Sequence, residues 1–334
     1  MYIFTLVYLM PEPINQPTFN RLIDDSPWEA YKRPYVRDLA YVLACPNVLT
    51  QWLNFAPHQN THTVDVHSAQ FWQTQFAAYE QRLTELDTTK AYQELTRYLL
   101  KRPSPNRLGF HFEGLLSFWL EDGFARKLHP YETLANNVQL YNDKQTVGEL
   151  DLILYNHEED LVEHWELAIK FFMGSAPFEP VNWVGINSND NLQRKMTHMQ
   201  TKQFQAVWVD TEDRGQVKID KRYGVIKGRF FLPINTTDLG DYDWPHWLTP
   251  SFPIHEWCDK RDKTALSTID TISLRAAHYI EWFTQRDFYD ERNAYDNRQQ
   301  PIVWSDNELP RTGLYFEGNR PIVIYPRWPN GVDE

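Results

Sequence analysis

Residues 147–155 read VGELDLILY, and residues 161–173 read LVEHWELAIKFFM. Both runs are rich in β-formers, and the turn residues Asn156 and Asp160 lie between them, so the pair predicts an antiparallel hairpin. Side chains alternate along a strand. Glu149, Asp151 and Ile153 therefore share one face of the first run, and Glu166, Ala168 and Lys170 share one face of the second. Pairing across the turn can bring Asp151 and Glu166 together. Two carboxylates on a mostly apolar hairpin repel each other, and burying them uncompensated is costly. A divalent cation that prefers oxygen ligands, Mg²⁺ or Mn²⁺, is one compensation. Bound there, it polarises a phosphoryl oxygen and acidifies a water. A lysine would then balance charge, either Lys170 on the same face or Lys195 further along. The plainer alternative is a solvent-facing strand with a Glu166–Lys170 surface ion pair worth little.

Working outward, residues 134–141 (LANNVQLY) read as a third strand before the hairpin, separated from it by Asn142 and Asp143. This makes a three-strand meander. A helix is expected over about 107–122, with Leu108, Phe112, Leu115, Leu116, Trp119 and Leu120 as its apolar stripe and Gly123 as its stop. Glu113 falls at the border of that stripe. A second helix is expected over about 190–204, where Leu192, Met196, Met199 and Gln203 share a face and Lys195 borders it. Strands at about 205–210 and 223–233 complete an α/β unit over 107–233. Ahead of it, residues 1–106 read as a helical region, with apolar periodicity near 34–43, 68–86 and 88–101 and a break at RPSPN, 102–106. Behind it, 234–334 is rich in Trp and Pro. That stretch reads as an irregular extension packed on the core, with one helix near 265–285.

The composition bounds the function. Of 334 residues 15% are aromatic, enough to build a substantial core. The two cysteines, Cys45 and Cys258, are far apart and form no zinc or disulfide pattern, which suits a reducing compartment. The apolar start, residues 1–10, lacks the basic front and cleavage site of a signal peptide and is too short to span a membrane. It reads as a strand or a misassigned start. These features give the expectation of a cytoplasmic protein without a membrane partner. The formal net charge of −12 argues against nonspecific coating of nucleic acid, yet leaves room for a local basic patch beside a carboxylate site. No phosphate-binding glycine motif, GxSxG elbow or HExxH is present. His111-Phe112-Glu113 has no PCxxC partner and so does not make a zinc deaminase. His62, Asp65 and His67 form a further metal candidate, in a region that reads as a polar loop.

The run Gly148-Glu149-Leu150-Asp151-Leu152-Ile153, with Glu166 in the next strand, resembles the PD-(D/E)XK nuclease superfamily over about 107–210. The chain as a whole also looks like a bacterial family of unknown function assigned to that superfamily. Leu108-Gly109-Phe110-His111-Phe112-Glu113 and Trp165-Glu166-Leu167-Ala168-Ile169-Lys170-Phe171 carry this likeness, with Arg33 to Ala40. The resemblance implies a restriction-endonuclease-like core and Mg²⁺ or Mn²⁺ held by Glu113, Asp151 and Glu166. It also implies a DNA or RNA substrate. The chain departs from the pattern at Ala168, where the lysine is expected. Lys170 lies about 6–7 Å further along the strand. Lys195 is the other replacement. Absence of either function would leave a nuclease-fold protein that binds nucleic acid, a protein partner or its own copy without cutting.

Overall fold

A computed structural model describes residues 26–58, 62–104, 107–142, 145–187, 189–234, 245–270, 274–277, 279–284, 312–318 and 320–325. The stretch 1–10, read above as a strand or misassigned start, lies outside the described residues. Four helices come first: α1 (Pro34–Ala44), α2 (Ala69–Thr88), α3 (Tyr92–Lys101) and α4 (Leu108–Ala125). Pro34 occupies the first turn of α1, where its missing N–H costs nothing. Ser68 caps α2 by accepting the Phe71 N–H at 3.1 Å. Arg82 of α2, almost fully buried, reaches Asp122 of α4 at 2.9 Å and Glu94 of α3 at 2.5 Å, which ties three helices at one point. α4 runs through Gly123 instead of stopping there. A Cβ at Gly123 would stand 2.5 Å from the His129 ring, so this glycine permits close packing of the following turn.

The meander forms as expected: β1 (Tyr131–Asn142), β2 (Gln145–Asn156) and β3 (Leu161–Gly174) pair antiparallel in order. The short β4 (Trp183–Gly185) returns against the end of β3. α5 (Leu192–Lys202), capped by the Asn191 side chain on the Arg194 N–H, then crosses over. The 205–210 expectation is corrected. β5 (Trp208–Thr211) and β6 (Gly215–Lys218) form a separate two-stranded hairpin, in which Trp208 is exposed. The strand that joins the meander is β7 (Lys221–Pro233), parallel to β3 from Glu163↔Lys221 to Met173↔Phe231. At Gly228 its backbone has a φ of 134°, and a Cβ would collide with the Lys170 carbonyl, 1.8 Å away. Only glycine lets the two strands meet there.

The described residues of the C-terminal region are less irregular than its composition suggests. β8 (Ile254–Asp259) pairs parallel to β7, and β11 (Arg320–Tyr325) pairs parallel to β8. β10 (Gly313–Glu317) and β9 (Leu274–Ala276) follow antiparallel. One mixed sheet thus runs β1-β2-β3-β7-β8-β11-β10-β9. The helix expected near 265–285 is absent from the described residues. A four-residue α6 (Lys263–Leu266), capped by Asp262, and β9 stand there instead. The sheet needs an edge strand at that point, and β9 burial of Leu274 wins over helical propensity. The N-terminal region also pairs with the sheet. Val48 donates to the Ile226 carbonyl, and Asp65 donates to that of Arg222. No helix among the described residues is long and apolar enough to cross a membrane.

Candidate active site

The register of β2 and β3 sets Leu152 opposite Trp165, which brings Asp151 opposite Glu166. Trp165 points the other way and stacks against Trp119 of α4, with ring centroids 6.4 Å apart. Glu166 is fully buried on the side that α5 covers. One Asp151 oxygen accepts the Leu167 N–H at 2.7 Å. Glu166 Oε1 accepts from the Gln203 side-chain amide, and Gln203 Oε1 stands 3.5 Å from Lys195 Nζ. Glu166 Oε2 receives no N–H or O–H donor among the described residues, and the Asp151 and Glu166 carboxyls stand close enough to share a proton between them. Glu166 Oε2 lies 3.3 Å from His164 Nε2, but that contact lacks hydrogen-bond geometry.

The electrostatics are those of crowded carboxylates. Burial, reinforced by the Glu166 charge, pushes the Asp151 carboxyl well up. Burial also pushes Glu166 up to about 7, against the pull of Lys195 and with a further push from Glu113. Glu113, on α4, rises to about 7 through burial and the nearby Asp151. Lys195 is lowered by its own burial, although Glu166 and Asp151 both favour its charged form. His164 drops to about 4 for the same desolvation reason and stays neutral. Four of the five residues singled out from the sequence thus act on the carboxylate centre directly, and the fifth, Lys170, is felt there through its repulsion of Lys195.

The fifth is turned aside. Lys170 Nζ pairs with Asp190 Oδ2 at 2.6 Å. Lys195 is accordingly the lysine that faces the carboxylates, reaching them from the helix instead of the strand. Glu113 approaches from α4. Its Oε2 is 4.0 Å from Arg102 and has no hydrogen bond among the described residues. Asn137 of β1 supports it with a side-chain hydrogen bond. Asn136 faces Leu152 and Val138 faces Leu150, so Asn137 stands opposite Asp151, in the left-handed region at φ 51°.

As arranged, no three His, Cys, Asp or Glu side chains among the described residues have the spacing to hold a metal ion. The donor chemistry still suits a hard cation. Asp151 and Glu166 offer oxygens side by side, and one buried Glu166 oxygen receives no N–H or O–H donor among the described residues. Mg²⁺ characteristically uses one or two carboxylates and keeps waters. That leaves Glu113 as a ligand through water instead of a direct one. The other metal candidate does not assemble. His67 is sandwiched between the rings of Phe71 and Tyr223, each 4.0 Å away, while Asp65 pairs through its backbone with Tyr223. His111 is a buried partner of Asp38 at 2.9 Å.

Gln203, Asn137 and Arg102 were not legible as site residues. Gln203 had a faint signal as the polar end of the apolar α5 face. Asn137 and Arg102 had none, because their positions depend on β1 and on the end of α3.

Comparison with known families gives one match. The family model described as "Domain of unknown function (DUF1853)" covers residues 37–304, a span that contains every site residue above. No curated protein and no solved structure matches the chain.

Proposed function

Because the chain belongs to the DUF1853 family, a domain family of unknown function, its activity has to be argued from the site, and we propose that it is a divalent-metal-dependent phosphodiesterase acting on nucleic acid, with a restriction-endonuclease-like core. The observation that carries this reading is the cross-strand apposition of Asp151 and Glu166 beneath Lys195. Such a grouping of like charges is costly unless it serves a purpose. Helix, antiparallel meander, crossover helix and parallel strand stand in the order that the PD-(D/E)XK resemblance implies, which supports the same reading.

Asp151 and Glu166 would hold the cation, with Glu113 behind a water. A bound Mg²⁺ or Mn²⁺ supplies Lewis acidity towards a phosphoryl oxygen and a water of lowered pKa. Lys195 places positive charge where the phosphorane builds negative charge, in a partly buried setting that strengthens it. Gln203 holds Glu166 in a fixed orientation, in the way outer hydrogen bonds orient ligands. In the hydrolysis, a water oxygen bonds to phosphorus, one ester P–O bond breaks, and the leaving oxygen takes a proton.

The test uses purified protein with Mg²⁺ or Mn²⁺ on single- and double-stranded DNA and RNA. Cutting that disappears in Asp151→Ala supports the reading. Cutting that survives Asp151→Ala, or inactivity on all four substrates with either metal, removes it. A second reading, a nuclease-fold protein that binds without cutting, is favoured by Ala168 at the position where the resemblance expects a lysine. It expects calorimetry to show no Mn²⁺ uptake.

A further inference from the structure

A groove of about 540 Å³ opens beside Glu113, lined in part by Tyr98, Lys101, Arg102, Phe110, Asn137 and Glu149. Its volume falls in the range of sites that bury nucleotide-sized molecules. Two of its residues also belong to the carboxylate site's surroundings. Arg102 stands 4.0 Å from Glu113, and Asn137 hydrogen-bonds to Glu113. The groove therefore adjoins Glu113, at the edge of the proposed catalytic centre.

Its chemistry is selective. Lys101 is exposed and makes no ion pair among the described residues, although the whole chain carries a net charge of −12. The Arg102 guanidinium has a buried Nε with no hydrogen-bond partner among the described residues. Its other side-chain contacts are a hydrogen bond with the Tyr98 hydroxyl, a long 3.5 Å contact with Asn137 and a 4.0 Å approach to Glu113. An anion in the groove would complete it. Phe110 is half-buried and has no aromatic partner among the described residues, in a protein whose core rings mostly pack against other rings, edge-on or tilted. Tyr98 is held in place by its hydroxyl on Glu121 at 2.5 Å and by an edge contact with Phe118. A cationic rim beside a partly exposed aromatic ring is the combination that holds a single strand, phosphate on the cations and base on the ring. A base within a duplex has both faces already stacked and cannot use Phe110. Glu149, the one carboxylate lining the groove, disfavours a second phosphate and can accept from an exocyclic base amine.

We propose that this groove binds single-stranded nucleic acid, with Lys101 and Arg102 on a backbone phosphate and Phe110 under an unstacked base, and delivers the strand to the Asp151–Glu166 centre. This rests on the phosphodiesterase reading for the last clause only. The test is therefore a binding measurement in a background that does not cut. Fluorescence anisotropy is recorded for Asp151→Asn protein with a labelled 12-nucleotide single strand, as DNA and as RNA, and with the matching duplex. Single strand of one or both sugars is expected to bind, and duplex is expected to bind more weakly. Phe110→Leu should weaken single-strand binding roughly 5- to 100-fold, the range of one lost stacking contact, and Phe110→Trp should restore it. Lys101→Ala should weaken binding and reduce the slope of log K against log[salt] by about 1. Preferential duplex binding, or single-strand binding unchanged in Phe110→Leu and Lys101→Ala, overturns the proposal. Equal thermal midpoints for the variants and their parent confirm that folding is intact, and an unfolded Phe110→Leu passes the decision to Lys101→Ala. Groove-dependent binding by a protein that never cuts would retain the groove and remove the phosphodiesterase reading. Cutting without groove dependence would do the reverse.

Discussion

Glu113 and Glu166 hold their protons to about 7, well above the ordinary carboxylate value of 4.5. Without metal, the folded protein therefore keeps protons that the unfolded chain has lost. The stability this contributes is fully present below about 4.5 and is lost as pH rises through about 7. In chelator, the thermal midpoint should fall between about pH 5 and 8. Glu166→Gln should flatten that fall, and Mn²⁺ should offset it at the alkaline end by replacing the protons. An identical pH profile with and without Mn²⁺ would count against a cation at these carboxylates. The lysines give a second prediction. Lys195→Ala should reduce cutting about 100-fold or more, the usual loss for one charge-stabilising donor. Lys170→Ala, which removes the pair with Asp190 and the repulsion Lys170 exerts on Lys195, should reduce the rate far less than Lys195→Ala does. The reverse ranking in single-turnover assays would reassign the role. The carboxylates themselves were legible because strand alternation fixes which residues share a face. The choice of lysine was not, since 29 positions of chain separate Glu166 from Lys195 and only the α5 crossover closes that gap.

Two junctions hold the elements in the positions the site requires. The first is the contact of β3 and β7 at Gly228, directly beside Lys170. Gly228→Ala should cost about 3 kcal/mol or more, because the left-handed backbone and the Lys170 carbonyl both oppose a methyl group. Chemical denaturation would measure it, and a loss below about 1 kcal/mol would show that the strands can part freely there. The second is Arg82, which joins α2, α3 and α4 through Asp122, Glu94 and Glu85. Its removal leaves the largely buried Asp122 with only the exposed Arg126 and the Tyr79 hydroxyl. Arg82→Leu should therefore destabilise by roughly 3 kcal/mol. Glu94 and Glu85 are themselves half-exposed, so most of that loss belongs to Asp122. Helix and strand positions among the described residues of 26–233 followed the apolar periodicity closely. The failures were local. Trp208–Thr211 pairs with its own neighbour instead of the main sheet, and the 265–285 pattern yielded to a sheet edge.

Across the whole molecule, the edge of β7 is closed from both ends of the chain. Asn47, Val48 and Asp65 satisfy backbone groups between Arg222 and Ile226, and β8 pairs with Phe230 to Pro233. Residues 107–233, a natural unit by sequence pattern, would alone expose that edge together with the buried Phe230, Phe231 and Leu232. A fragment of 107–233 should aggregate or fail to melt cooperatively by circular dichroism, whereas residues 26–325 should melt cooperatively. A soluble, cooperatively folding 107–233 would show that the flanking pairings are dispensable. The sequence by itself determined the meander, the helices on either side and the placing of Asp151 and Glu166 on facing strands, because those follow from periods of 2.0 and 3.6 within short windows. Tertiary structure alone decided that Lys195 faces the carboxylates, that Arg102 and Asn137 attend Glu113, and that the C-terminal strands extend one sheet. Each of those depends on contacts between residues far apart in the chain, and local periodicity carries no record of them.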